Sequence, residues 1–364
     1  MYNAAYVFYL LISALYLFSS PLSWYLNNKY DQIANFVFIY SLISFVVLLF
    51  VPILFHNFKR KNVIEFKQSR PALFKLKFVI LSFITILILQ FLYLHTEISH
   101  SIFFNRVNRE LPFYRSQLYV FFIILMQFYF FIFIYNSRYL KYFEKIILFL
   151  LFLLFAYHEI VLTGARRFTL SIILFYFIYK FGFKKLFQIK YITLAFFLAL
   201  FLFVLGGVRE LIVHGKDVQL TEGLIIALAN NEFTEMGRGL YFYMSKNING
   251  EILQGGKTFI DGLQFIIPRE IHPDKPISIP LQFGSITSIY SELFLNFHFF
   301  GALMVAAYGV FYYILSLKHG FWTIVFFSYT LDFIRTQFGV ILYTIVILYF
   351  LYFVFYSKYR REKN

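Results

Sequence analysis

Long runs of apolar residues, each about the length of a membrane-crossing helix, dominate this chain. A helix needs about 20 apolar residues to cross the hydrocarbon core of a bilayer, and the sequence contains ten candidate runs. Apolar residues make up 60% of the chain and charged residues only 14%, against roughly 25% charged in an average soluble domain. A soluble protein of this length could not bury so much apolar surface. The sequence therefore predicts an all-α polytopic membrane protein.

The predicted spans form two groups on either side of one long polar interruption. Residues 1–208 are predicted to form an N-terminal transmembrane bundle of about seven spans, residues 209–284 a long outer loop, and residues 285–364 about three further spans and a basic tail. The apolar segment Gly284–Phe297 either lengthens the eighth span or forms a re-entrant piece. The spans are Ala4–Leu26, Ile33–Phe55, Phe78–Leu94, Leu118–Tyr135, Ile146–Leu162, Phe168–Phe181, Tyr191–Val208, His298–Leu317, Phe321–Ile334 and Val340–Tyr356.

Lysine and arginine are concentrated in alternate loops. They cluster within residues 59–77, 138–145 and 180–190 and in the tail at 358–363. Basic residues favour the cytoplasmic side of a membrane, so this bias predicts that both termini are cytoplasmic and that residues 209–284 lie outside. We therefore attribute the net charge of +15 to membrane orientation and to anionic partners rather than to nucleic-acid binding. The absence of cysteine excludes disulfides and thiolate metal sites.

The outer loop contains predicted local structure. Apolar residues recur at three- and four-residue steps over Glu222–Asn247, which predicts one or two amphipathic helices on the membrane surface. Gly255-Gly256 predicts a turn. The proline-rich run Pro268–Pro280 is predicted to be extended, because proline is excluded from helix interiors.

Arginines at the outer ends of spans are candidate ligands for a diphosphate. Arg166 and Arg167 follow Thr163-Gly164-Ala165 after the fifth span, Arg209 opens the long loop, and Arg335 ends the ninth span. Guanidinium groups bind phosphate oxygens in pairs and stay charged. The alternative for Arg166 and Arg167 is that their side chains extend to the membrane interface without binding a ligand. The alternative for Arg335 is an ion pair with Asp332 on the same helix face.

The proline-rich run contains Arg269, His272 and Lys275. Prolines restrict the backbone, so these side chains would be positioned in advance, with Arg269 and Lys275 as diphosphate ligands and His272 as a candidate base. The alternative is a solvated loop in which these residues have no special role.

Two acids lie in apolar segments. Glu159, beside His158, could orient an arginine, act as a base or form a structural ion pair, whereas Glu292, one turn before Asn296, could act as catalytic base, bind the acceptor or only support helix packing. No Asp-x-Asp or Glu-x-Asp pair occurs in the outer segments. The sequence therefore predicts no metal and no cofactor, and arginine and lysine alone would neutralise a phosphate.

The layout resembles the O-antigen polymerases of the Wzy-type family. The resemblance lies in the many spans, the Gly164–Arg167 turn, the late outer loop with Ile267-Pro268-Arg269 and Lys275-Pro276, and the Glu292–Gly301 segment. It implies a membrane-embedded, inverting, metal-independent glycosyltransferase of the GT-C class in the bacterial inner membrane. Donor and acceptor would be glycans linked to undecaprenyl diphosphate, and the essential outer-face arginines of that family would correspond to Arg166, Arg167, Arg209, Arg269 and Arg335.

Two other functions remain open from the sequence. A glycan ligase of the O-antigen ligase type would share this architecture, and a flippase or transporter of lipid-linked sugar would show internal repeats and a charged central cavity. Besides the bilayer and the lipid-linked substrates, partners could include a chain-length regulator and a flippase.

Overall fold

The described part of the chain is almost entirely helical. The computed structural model describes residues 3–26, 30–55, 84–86, 88, 113–162, 166–188, 193, 232–247, 253–264, 267, 288–317 and 320–353. No residue within these ranges belongs to a strand, which confirms the all-α class. The helices are α1 (Ala4–Leu26), α2 (Gln32–Leu54), α3 (Phe113–Tyr135), α4 (Tyr142–Ala156), α5 (Arg166–Leu186), α6 (Glu232–Asn247), α7 (Lys257–Gln264), α8 (Ile289–Phe297), α9 (Gly301–Ser316), α10 (Phe321–Ser328), α11 (Thr330–Arg335) and α12 (Phe338–Tyr352).

Three of the described helical segments are long and apolar enough to cross a membrane. They are Ala4–Tyr25, Gln32–Leu54 and, by length and composition across the break at His298 that is described below, Ile289–Ser316. Two shorter apolar helices cover Val120–Tyr135 and Phe338–Tyr352. The chain is therefore a helical, membrane-embedded protein.

The predicted spans agree with these helices to different degrees. The first coincides with α1, and the second differs from α2 by one residue at each end. The ninth is divided at Tyr329 into α10 and α11. The predicted spans Phe78–Leu94 and Tyr191–Val208 lie almost wholly outside the described residues, so the number of ten spans stays a prediction.

The described helices belong to two compact units. The first contains α1, α2, the end of α5 from Phe181, α6 to α11, and α12 up to Val340. The second contains α3, α4, α5 as far as Lys180, and α12 from Ile341. The sequence predicts three consecutive segments, residues 1–208, 209–284 and 285–364. The first unit contains helices from each of them.

In the first unit, α1, α2 and α9 pack side by side. The hydroxyl of Tyr6 in α1 donates to the carbonyl of Leu48 in α2, at 2.8 Å. Gly309 allows α9 to approach α2 closely, since a Cβ there would lie 2.8 Å from Leu48 Cδ2. The amide of Asn3 donates to the carbonyl of Ser316, at 3.0 Å, which joins the start of α1 to the end of α9. These two helices are therefore antiparallel.

The segment Ile289–Ser316 does not form one continuous helix. His298 has a φ of 54° and a ψ of −141°, a conformation that residues with a side chain rarely adopt. A Cβ on Gly301 would lie 2.4 Å from the carbonyl oxygen of Leu293, although eight residues of straight helix extend about 12 Å. The chain therefore folds back at His298, so that α8 packs against α9.

Helix α8 begins inside the bundle. Tyr40, the ninth residue of α2 and so about 12 Å along it, donates its hydroxyl to the carbonyl of Tyr290, at 3.0 Å. After α8, the ring of Phe299 lies 5.9 Å from that of Phe36, near the start of α2. Within the described residues 288–297, the segment is therefore a separate helix beside α9 and does not lengthen it; a re-entrant position in the membrane stays a prediction.

Helix α6 confirms a predicted helix within Glu222–Asn247. Its buried residues are Gly237, Gly239, Leu240, Tyr243, Met244 and Asn247. This face contacts α1, α2 and α8, and Gly237 lies so close to Ser20 that a Cβ would overlap the serine side chain. Protein helices, rather than the membrane surface alone, therefore cover α6.

A polar contact joins α6 to the start of α2. Asp31 caps α2 by accepting from the N–H of Ala34, at 2.7 Å, and it also accepts from the hydroxyl of Tyr241, at 2.5 Å. The hydroxyl, followed by the backbone N–H, lowers the pKa of Asp31 below its usual value, and the same hydrogen bond raises the pKa of Tyr241. Both residues lie outside the candidate spans.

The second unit is packed mainly by aromatic side chains. The rings of Phe131 in α3 and Phe175 in α5 stack 4.6 Å apart, and Phe130 contacts Phe155 of α4 at 5.8 Å. The side-chain amide of Gln127 donates to the carbonyl of Phe168, at 3.0 Å.

Candidate functional site around Glu292

The first turn of α8 is stabilised by its own serines. The hydroxyl of Ser288 accepts from the N–H of Ser291, at 3.1 Å, and the hydroxyl of Ser291 accepts from the N–H of Ser288, at 2.7 Å. This reciprocal cap satisfies donors that a helix start leaves open. It lets a nine-residue helix begin in the protein interior, with every residue from Ile289 to Asn296 buried.

The carboxylate of Glu292 connects three elements of the first unit. Its Oε1 accepts from the hydroxyl of Thr258 in α7, at 2.9 Å, and its Oε2 accepts from the backbone N–H of Phe338 at the start of α12, at 2.6 Å. The side chain is fully buried. A buried carboxylate is costly unless it is hydrogen-bonded, and here each oxygen has a protein donor.

Asn296 completes this network. Its Nδ2 donates to the hydroxyl of Thr258, at 2.6 Å, and to the carbonyl of Glu292, at 2.8 Å. Its Oδ1 accepts from the N–H of Gly256, at 3.0 Å. Gly255 and Gly256 have positive φ angles of 55° and 89°, so the predicted turn is present. These hydrogen bonds fix the position of Asn296, and its supporting role at a functional site stays a prediction.

A close backbone contact reinforces the junction of α7 and α12. A Cβ on Gly262 would lie 3.1 Å from Cα of Gly339. The opposite face of α7 is open, because Ile260 and Leu263 are 62% and 53% exposed. Helix α7 therefore has one face held by the protein and one apolar face available to lipid, as an interfacial amphipathic helix does.

Arg335 is the last residue of α11 and is partly exposed, whereas Asp332 is buried. The hydroxyl of Thr336 donates to the carbonyl of Asp332, at 3.0 Å, and so closes this helix end. Phe338, the donor to Glu292, follows Arg335 by three residues. The network around Glu292 therefore anchors the chain directly after Arg335. The Asp332–Arg335 ion pair stays a prediction.

Glu159 lies in the second unit, in the π-helical turn Tyr157–Leu162 that follows α4. Its Oε1 is 2.9 Å from Nδ1 of His158, and both side chains are buried. The structure thus gives Glu159 a histidine neighbour, where the sequence left open an arginine partner. Single turns of π-helix recur at functional sites, and the supporting role of Glu159 stays a prediction.

Arg166 and Arg167 are the first two residues of α5 rather than part of a turn before it. The guanidinium carbon of Arg167 lies 4.6 Å from the centre of the Phe168 ring, a cation–π contact. The side chain of Arg166 lies outside the described residues.

Four predicted site residues, Arg209, Arg269, His272 and Lys275, also lie outside the described residues. Glu292, Asn296 and Arg335 belong to the first unit, and Glu159 and Arg167 to the second. The gathering of all the arginines around one diphosphate therefore stays a prediction.

Thr258 and the N–H of Phe338 were not predicted from the sequence as partners of Glu292. The turn at Gly255-Gly256 was the only signal near Thr258, and a backbone donor has no signature of its own. Within the part of the chain that the structure describes, no three His, Asp or Glu side chains come together as metal ligands would.

No protein-family model, no curated protein and no solved structure matches this chain. The function must therefore be inferred from the chemistry of the residues themselves.

Proposed function

We propose that this protein is a membrane-embedded glycosyltransferase of the GT-C type, with about ten spans, that polymerises oligosaccharide repeat units linked to undecaprenyl diphosphate. The reaction would take place at the outer face of the bacterial inner membrane, with inversion at the anomeric carbon and without a metal. Arginine and lysine side chains would neutralise the diphosphate.

The observation that supports this proposal most directly is the anchoring of the backbone that follows Arg335 to one buried carboxylate. Glu292 binds the N–H of Phe338, three residues after Arg335, and the hydroxyl of Thr258 in α7. An anion site needs cations on fixed backbone, because reorganisation during the reaction would cost transition-state stabilisation. In this proposal the side chains of Glu292 and Asn296 hold that backbone in place by hydrogen bonds.

The exposed face of α7 suits a polyprenyl substrate. Ile260 and Leu263 lie on its open side, where they would contact the bilayer that contains the lipid carrier. The carrier would then present its diphosphate near the end of α11, where Arg335 lies.

The proposed reaction transfers one glycosyl group. The bond between the anomeric carbon of the donor sugar and the diphosphate oxygen breaks, and the acceptor hydroxyl oxygen bonds to that carbon from the opposite side. The leaving undecaprenyl diphosphate keeps the electron pair, and Arg166, Arg167, Arg209, Arg269, Lys275 and Arg335 are the candidates that balance its charge. The hydroxyl proton passes to a base. Because both oxygens of Glu292 already accept from the protein, His272 is the better candidate base, and Glu292 the positioning residue.

The test is polymerisation by purified protein supplied with synthetic lipid-linked repeat units. We expect a ladder of glycan lengths that persists in the presence of a chelator. Arg335→Ala should lower the rate about 100-fold or more, as the loss of one charge-stabilising donor does, and Arg335→Lys should fall between, because lysine cannot form the two-pronged contact. Lys184 is an exposed residue near the end of α5. The Lys184→Ala variant serves as the control and should retain full activity.

Normal ladders from Arg335→Ala would contradict the assignment of Arg335, and no ladder from the unmodified protein would contradict polymerisation. Gene deletion separates the two glycan-transfer functions. Loss of a polymerase leaves single repeat units on the cell surface, whereas loss of a ligase leaves glycans on undecaprenyl diphosphate.

A further inference from the structure

The second unit contains a cavity of about 730 Å³ between α3, α4 and α5. Its walls are apolar and largely aromatic, with Phe130, Ile134, Leu148, Phe152, Ile173 and Phe177 among them. The volume lies within the range of small-molecule and cofactor sites. In a membrane-embedded protein, an apolar cavity of this kind offers a place for a hydrocarbon chain.

Three basic side chains border the same cavity. Arg138 follows α3, Lys145 lies near the start of α4 and Lys180 lies near the end of α5, and all three are exposed. The Nζ of Lys180 donates to the hydroxyl of Tyr176, at 2.8 Å, and Tyr176 also borders the cavity. The cavity thus combines an apolar interior with a cationic margin.

Glu144, the acidic residue nearest to Arg138 and Lys145 in the sequence, already has a structural partner. Glu144 accepts from the backbone N–H of Lys141, at 2.6 Å, which caps α4. Among the residues that the structure describes, no carboxylate forms an ion pair with Arg138 or Lys145. Within this part of the chain, the charges of Arg138 and Lys145 are therefore available to an external anion.

We propose that this cavity is a binding site for an anionic phospholipid of the bilayer. One acyl chain would occupy the space between the aromatic walls, and the headgroup phosphate would bind Arg138 and Lys145, with Lys180 and Tyr176 beside it. Charge complementarity selects an anionic over a zwitterionic headgroup, since basic pockets between membrane helices bind anionic headgroups. The apolar walls select a lipid over a soluble phosphate, which could use only the cationic margin.

The simpler explanation is that these basic residues only set the orientation of the protein in the membrane. Lys184 and Lys185 allow a direct comparison. They are exposed in the last turn of α5 and do not border the cavity. If the basic residues only set orientation, both pairs would affect lipid binding equally. The proposed site depends on Arg138 and Lys145 but not on Lys184 or Lys185.

The test is lipid binding by the purified full-length protein in detergent, followed by native mass spectrometry. We expect phosphatidylglycerol to bind at least about tenfold more tightly than phosphatidylcholine. The double variant R138A/K145A should lose most of this preference, whereas K184A/K185A, which removes the same charge, should keep it. Ile173→Trp fills the cavity without changing any charge, and it should also weaken phosphatidylglycerol binding about tenfold or more.

Three results would overturn the proposal. Equal binding of the two lipids would show that the cavity does not select a headgroup, and equal losses in the two double variants would show an effect of net charge alone. Displacement of phosphatidylglycerol by millimolar glycerol phosphate would point to a soluble anion instead. If R138A/K145A fails to fold, as shown by its melting temperature, the comparison of the two lipids and the Ile173→Trp variant still decide. None of these measurements depends on glycosyl transfer.

Discussion

Aromatic contacts pack both compact units, such as Tyr9 on Tyr312 in the first, but the first unit adds a buried hydrogen-bond network and close backbone contacts. In the first, the short helix α8 is held by hydrogen bonds from Thr258 and Phe338 to Glu292 and by backbone contact at Gly301. In the second, α3, α4 and α5 are held by aromatic contacts such as Phe131 on Phe175, and a cavity remains between them.

This difference follows from the membrane as solvent. Lipid tails are as apolar as the side chains of a helix, so apolar burial adds little to helix association there, and close packing and polar contacts hold helices together. The first unit uses both means and positions its elements closely. The second has space that an acyl chain can fill without a large change in free energy. A precise site is therefore expected in the first unit and a lipid contact in the second.

Removal of the Glu292 carboxylate should have the largest effect on stability. Glu292→Ala leaves the buried hydroxyl of Thr258 and the N–H of Phe338 without their acceptor, and each such group costs about 1–3 kcal/mol. We expect the free energy of unfolding to fall by about 3 kcal/mol or more. Glu292→Gln keeps one acceptor oxygen and should cost about half as much. Reversible unfolding in mixed detergent micelles would measure both.

The matched substitution in the second unit is Phe131→Ala. It removes a larger, fully buried side chain, but lipid can replace part of the lost apolar contact, so we expect a smaller loss than for Glu292→Ala. A larger loss for Phe131→Ala would contradict the proposed difference between the units.

Gly301→Ala should have the next largest effect. The new Cβ would lie 2.4 Å from the carbonyl oxygen of Leu293 and 3.0 Å from the N–H nitrogen of Phe294, and backbone atoms of a helix cannot move away separately. Overpacking of this kind typically costs about 1–3 kcal/mol. The apparent melting temperature in detergent would report the loss.

Gly309→Ala is the control for this prediction. It lies in the same helix α9, but its new Cβ would meet the side-chain ends of Leu48 and Val51, at 2.8 and 2.9 Å, which can shift. We expect a smaller decrease in melting temperature. Equal decreases would indicate that the fold-back at His298 is not closely packed.

The contact between α6 and α2 should have the smallest effect. Tyr241→Phe removes the hydrogen bond to Asp31, an exposed group whose contribution is screened by solvent, so less than about 1 kcal/mol is expected at pH 7. Because the pKa of Asp31 is lowered in the folded state, the stabilisation is complete above its usual value of 3.8 and disappears as pH falls through the lowered value.

The measurement is the difference in melting temperature between the native protein and Tyr241→Phe from pH 7 down to pH 3. We expect this difference to be constant near neutral pH and to shrink below about pH 4. A difference that grows on acidification would show that another group controls it. On the alkaline side, the raised pKa of Tyr241 places the loss of the contact above the usual value of 10.0, as the tyrosine gives up its proton.

Much of the local structure could be predicted from the sequence. The bounds of α1 and α2, the helix at α6 and the turn at Gly255-Gly256 depend on apolar run length, residue periodicity and glycine. The position of Arg335 at a helix end was predicted in the same way. These properties depend on residues that are neighbours along the chain, so they can be predicted from the sequence alone.

The tertiary structure decided how those elements meet. Glu292 binds Thr258 and Phe338, which are 34 and 46 residues away, and the sequence predicted neither partner. It also left open whether Gly284–Phe297 continues the next span, and only the backbone at His298 and Gly301 makes α8 a separate helix. The physical reason is the same in both cases. Apolar length and periodicity determine which segments enter the membrane, whereas the satisfaction of a buried polar group requires donors that only the folded chain brings within hydrogen-bond distance.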